Sequence, residues 1–184
     1  MRKMIEMKIR KGTFETNSSS THSIAISKNK IEIPVGSYIY FHIGEYGWEE
    51  DECNFPDYMY TSLLYNKDEE GFKKLKSILD KWGVRYNFQK PKWVYWGDNQ
   101  EEKYLDNGYI DHGGETFLIM REILNDEDLL ARALFGDSIV YTGNDNSSEA
   151  DSMCYCADEY TWDDEKINNP NHDSEHYDYF FKGN

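Results

Sequence analysis

Two groups of side chains in this sequence could do chemistry. The first is Asn17-Ser18-Ser19-Ser20-Thr21-His22, a run of amides and hydroxyls that ends in an imidazole. The second is Asp111-His112 together with Asn144-Asp145, each pair beside glycine. A serine nucleophile, a histidine base and a carboxylate that orients it are the parts of a hydrolase or transferase site. However, no serine stands in a nucleophile elbow, and no glycine-rich phosphate loop is present. The same side chains read equally well as turn hydrogen bonds that hold a long polar connection. Catalytic roles are therefore assigned to none of them, and an enzyme is the lesser expectation.

Three further patterns carry less. His172-Asp173-Ser174-Glu175-His176 has the spacing of an inverted zinc-peptidase motif, which needs a helix to put both imidazoles on one face. It follows Asn168-Asn169-Pro170-Asn171 with no amphipathic support, so we read it as a chance match. Cys154-Tyr155-Cys156 lacks a second ligand pair, and Asp145–Asp151 lacks the central glycine of a calcium loop. No metal and no cofactor is expected.

Charge sets the class of partner. Twenty Lys and Arg face 35 Asp and Glu, a net of −15. Residues 1–30 hold seven basic and two acidic side chains (+5), and residues 31–184 hold 13 and 33 (−20). Such a body repels nucleic acid and is steered toward a basic partner. Its acidic runs are Glu49-Glu50-Asp51-Glu52, Glu101-Glu102, Asp158-Glu159 and Asp163-Asp164-Glu165. Held on a firm surface, these carboxylates could occupy an arginine- and lysine-lined groove made for nucleic acid. The chain also holds 15 Tyr, 9 Phe and 5 Trp, which supply core and, where half-exposed, docking anchors. Three cysteines, no apolar run of membrane length and no leader-like stretch after Met1-Arg2-Lys3 suit a cytoplasmic protein.

The elements that must position these groups follow from periodicity. Residues 4–10 and 23–27 alternate as strands around the polar run, suggesting a hairpin. Residues 31–33 and 37–43 add strand candidates, and 44–56 read as an acidic loop. A short helix is expected at 57–66. A clear one follows at 69–82, with Asp68 as cap, Phe72, Leu75, Ile78, Leu79 and Trp82 as its stripe, and Gly83 as stop. Residues 84–88 and 93–96 are extended, 115–124 and 126–135 helical, and 138–142 a returning strand. The class is α+β: a mixed or antiparallel sheet with about three helices packed on it. Residues 1–146 form one domain, and 147–184 an acidic, irregular extension on its fringe.

The string Arg10-Lys11-Gly12-Thr13-Phe14-Glu15-Thr16-Asn17-Ser18-Ser19-Ser20-Thr21-His22-Ser23-Ile24 resembles the N-terminal signature of a group of phage and mobile-element proteins. Tyr109-Ile110-Asp111-His112 and Thr142-Gly143-Asn144-Asp145-Asn146 are similar to its later signatures. The resemblance implies an anti-defence role. Size, acidity and aromatic content are similar to type II-A anti-CRISPR proteins, which bind Cas9 or the Cas9–guide RNA complex and block target DNA binding or cleavage. It carries no catalytic assignment. Its neutral, glycine-rich motifs also argue against a pure DNA mimic.

Overall fold

The computed structural model describes residues 20–47, 51–95, 103–111, 113–144 and 175–182. In chain order the elements are β1 (Ser20–Ser27), β2 (Tyr38–Phe41), β3 (Glu45–Tyr46), β4 (Asp51–Cys53), α1 (Phe55–Tyr65), α2 (Glu69–Lys81), β5 (Arg85–Phe88), β6 (Trp93–Tyr95), β7 (Lys103–Leu105), β8 (Tyr109–Ile110), α3 (Gly113–Asn125), α4 (Glu127–Phe135), β9 (Ser138–Asn144) and β10 (Tyr177–Lys182). The class is α+β, with four helices among the described residues where about three were expected.

A four-stranded sheet, ordered β10-β1-β9-β4 and antiparallel throughout, is the backbone of the fold. β1 is its best-buried strand: Ile24 and Ile26 project to one face, Ser23, Ala25 and Ser27 to the other, and all five are buried. Small residues on the second face let the chain be covered on both sides. Three short two-stranded sheets flank this one: β2 with β5 and β3 with β8, both parallel, and the antiparallel ribbon β6–β7.

α1 is the central helix. Asn54 caps it by accepting the Asp57 N–H at 3.0 Å, and eight of its residues, from Phe55 to Leu63, are buried. A helix buried around most of its circumference shows little apolar periodicity, which is why the sequence reveals only a short and weak signal there. α2 behaves as its stripe requires: Leu75, Ile78 and Leu79 are buried, and Asp68 accepts the Gly71 N–H at 2.9 Å. Between α1, α2 and β5 lies an aromatic cluster. Phe88 stacks on Phe41 at 4.6 Å between ring centroids and meets Tyr60 and Phe72 at 4.9 Å each. Such contacts add about 0.5–1.5 kcal/mol each beyond area burial. Burial raises the Tyr60 hydroxyl to a pKa of about 12, so it stays a donor to the main-chain oxygen of Gln89.

Four expectations change. Both edges of β1 are taken, by β9 and β10, so β1 is not half of a hairpin with residues 4–10, which lie outside the described residues. Residues 31–33 are irregular; Pro34 and the turn around Gly36 leave the segment no strand to pair with. The expected loop 44–56 contains β3, β4 and the start of α1. In the expected irregular extension, residues 177–182 form β10, because the edge of β1 not taken by β9 offers its backbone groups to six residues in antiparallel register, from His22 opposite Lys182 to Ser27 opposite Tyr177. Arg132 of α4 fastens that strand, donating to the Ser27 oxygen at 2.8 Å and to the Asp178 carboxylate at 2.9 Å.

Candidate functional site

Ser20 and His22 lie two residues apart on β1, so their side chains share one face of the sheet. That face meets α1, and both side chains are fully buried. Asp111, just after β8, is carried to the same point because β8 runs parallel to β3, with the Asp111 N–H donating to the Tyr46 oxygen at 2.9 Å. Three distant stretches of chain thus meet at one imidazole.

The partners of the ring decide its chemistry. Nε2 of His22 lies 3.0 Å from the main-chain oxygen of Asp111 and 2.9 Å from Oγ of Ser20. A carbonyl oxygen only accepts, so Nε2 carries the hydrogen. Nδ1 is then an acceptor, and the Tyr58 hydroxyl of α1 donates to it at 2.9 Å. Burial pushes the Tyr58 pKa well above its usual value, an effect increased by Cys53 and partly offset by a hydrogen bond from Thr116 of α3. The Ser20 hydroxyl donates at 3.4 Å to the same Asp111 oxygen. The order is therefore Thr116 to Tyr58 to His22 to Asp111, each hydroxyl or N–H aimed the same way. With its proton on Nε2, His22 does not accept one from Ser20. What the cluster does is tie α3, α1, β1 and the end of β8 together through buried hydrogen bonds.

The Asp111 carboxylate has a further partner. Its Oδ1 accepts the Tyr109 hydroxyl at 2.7 Å, and burial followed by this hydrogen bond raises the Tyr109 pKa. Gly47 closes the site. Its φ is +124°, and a Cβ there would lie 2.6 Å from Cβ of Asp111 and 3.2 Å from the His22 ring. Only a glycine lets the chain pass.

Of the polar residues expected to act together, the structure joins Ser20, His22 and Asp111. Asn144 is brought opposite Ser20 by the β1–β9 register. Asn17, Ser18, Ser19, His112 and Asp145 lie outside the described residues, as do Glu49, Glu50, Asp158, Glu159, Asp163, Asp164 and Glu165. Asp51 and Glu52 lie on β4, opposite Thr142 and Tyr141 of β9. Glu175 and His176 form a turn before β10 rather than part of a helix. Among the described residues no group of three His, Cys, Asp or Glu could hold a metal, and no helix is long and apolar enough to cross a membrane. Tyr58, Thr116 and Gly47 were not legible as site residues: in sequence, a tyrosine on a buried helix is one more core aromatic.

Outside this cluster, aromatic side chains stand in solvent on the small sheets. Tyr38 and Tyr40 of β2, Trp93 and Tyr95 of β6 and Tyr104 of β7 are 36–55% exposed. Tyr40 packs on His42 at 4.5 Å, and Arg85 pairs in register with Tyr38. The sequence showed that tyrosines were plentiful but not which ones face out.

No protein-family model matches the chain, and no curated protein and no solved structure matches it either.

Proposed function

We propose that this protein acts by binding rather than by catalysis, as an inhibitor of a basic, nucleic-acid-handling defence enzyme. The Cas9–guide RNA complex is the leading target. The observation that carries the reading is that, among the described residues, Tyr38, Tyr40, Trp93, Tyr95 and Tyr104 are held in solvent on small sheets outside the main sheet. Tyrosine and tryptophan presented on firm backbone are the side chains that dominate interface energies. The net charge of −15 supplies long-range attraction to an arginine- and lysine-lined groove. His22, the one buried imidazole of the β1 face, is engaged in holding the fold, which leaves recognition to the surface.

The test is a pull-down of purified Cas9–guide RNA by the immobilised protein. Capture at low salt that fades as ionic strength rises supports the reading, with target DNA binding or cleavage reduced in parallel. Absence of capture at low salt sinks it.

A further inference from the structure

The chain is acidic as a whole, yet its basic residues are not evenly spread. Residues 67–95 hold eight Lys and Arg against four Asp and Glu, a local net of +4 within a chain of −15. The fold turns this segment back on itself, so that β6 comes to face the turn between α1 and α2. Between them lies a groove of about 460 Å³, within the usual ~300–1,000 Å³ range of ligand-binding clefts. Leu63 and Leu64 of α1, Phe72 of α2 and Trp93 of β6 form its apolar walls, and Lys67, Asp68, Glu69 and Lys103 complete its lining.

Each lysine is positioned by its backbone. In the β6–β7 ribbon Trp93 pairs with Leu105 and Tyr95 with Lys103, so these four share one face. Lys103 Nζ sits 5.2 Å from the centroid of the Tyr95 ring, which holds the cation without neutralising it. Lys67 is in the left-handed region at φ 52°. It occupies the αL position of the motif that ends α1: its N–H donates to Leu64 O and that of Asp68 to Leu63 O. α2 ends in the same motif, with N–H bonds from Gly83 and Val84, and there the αL residue is Gly83. A lysine in this position carries backbone strain that a glycine would not. Among the described residues neither Lys67 nor Lys103 makes an ion pair. The acidic side chains of the groove are engaged, Asp68 by Arg121 and the Gly71 N–H, Glu69 by Lys73 at 3.8 Å.

We propose that this groove docks a peptide segment of a partner protein in which an aromatic or aliphatic side chain is flanked by carboxylates. The apolar side chain fills the space between Leu63, Leu64, Phe72 and Trp93, and the carboxylates reach Lys67 and Lys103. Trp93 and Tyr95 also belong to the exposed aromatic set of the inhibitor reading, but the groove is defined by its two lysines and its ligand does not depend on the target named there. A peptide is favoured over a nucleic-acid strand on charge. A strand needs a succession of phosphate contacts, and the acidic body opposes a long polyanion. One or two carboxylates need only the two lysines present.

The experiment is a random-peptide selection on the immobilised full-length protein, counter-selected on its Trp93→Ala variant. Affinities of an enriched peptide are then measured by fluorescence anisotropy. Enrichment of sequences with an apolar residue between Asp or Glu is expected, with affinity reduced about five- to tenfold by Lys67→Gly and by Lys103→Gln, the scale of one charge-assisted contact. Lys67→Gly relieves the left-handed strain, so its thermal midpoint rises, and weaker binding by that variant is not unfolding. Neutral or basic enriched sequences, unchanged affinity in both lysine variants, or tighter binding of single-stranded oligo-dT than of the peptide would each overturn the proposal.

Discussion

Nε2 of His22 faces the main-chain oxygen of Asp111 at 3.0 Å, and this single contact sets the tautomer of the only fully buried imidazole among the described residues. The proton on Nε2 leaves Nδ1 to accept from Tyr58 at 2.9 Å. Tyr58→Phe should therefore cost about 1–2 kcal/mol, because Nδ1 would be buried without its donor. His22→Ala should cost about 3 kcal/mol or more, since it adds a cavity and strands three partners. In a double-mutant cycle read by urea denaturation, the two changes should be strongly coupled. Additive losses would show that the bond contributes nothing of its own.

Gly47 makes the same site sterically testable. A methyl group there meets Asp111 and the His22 ring, at a φ of +124° that side chains rarely adopt. Gly47→Ala should destabilise the fold by about 2–4 kcal/mol. Loss of near-UV circular dichroism at a lower denaturant concentration than the parent is the readout, and a midpoint matching the parent contradicts the packing described.

Lys67 and Gly83 hold equivalent positions at the ends of α1 and α2, so opposite substitutions should have opposite signs. Lys67→Gly is expected to stabilise by about 1 kcal/mol, the cost of a side chain in the left-handed region. Gly83→Ala, at φ +68° with open space around it, should destabilise by about 1 kcal/mol. Both shifts are read from thermal midpoints.

Asp68 predicts the acid limb of stability. Its burial pushes the carboxyl pKa up, but hydrogen bonds from Arg121 and the Gly71 N–H outweigh this and hold it below its ordinary 3.8. A folded-state pKa below the unfolded value contributes stability that is complete above the unfolded value. That contribution is lost as pH falls from about 4 through the lower folded pKa. Asp68→Asn keeps some capping of α2 but loses the pair with Arg121. Urea denaturation from pH 7 to pH 2.5 should show a variant less stable at neutral pH and flatter below pH 4. A slope equal to the parent's would remove Asp68 from the account.

Sequence by itself determined what depends on neighbours a few residues apart. The stripe Phe72, Leu75, Ile78, Leu79 with Asp68 before it and Gly83 after it specified α2 almost to the residue, because capping and helical periodicity are local. The alternation of Ile24 and Ile26 likewise placed β1. Charge and aromatic content are likewise properties of the sequence alone. Tertiary structure alone decided the rest. Which strands flank β1 is a matter of edge matching across most of the chain's length, invisible to any window of residues. The roles of Ser20, His22 and Asp111 depended on an approach between residues about ninety apart in sequence. Until a carbonyl oxygen, rather than a carboxylate, was found against Nε2, the histidine could be read as a base. With it in place, the proton is committed and the imidazole is part of the frame.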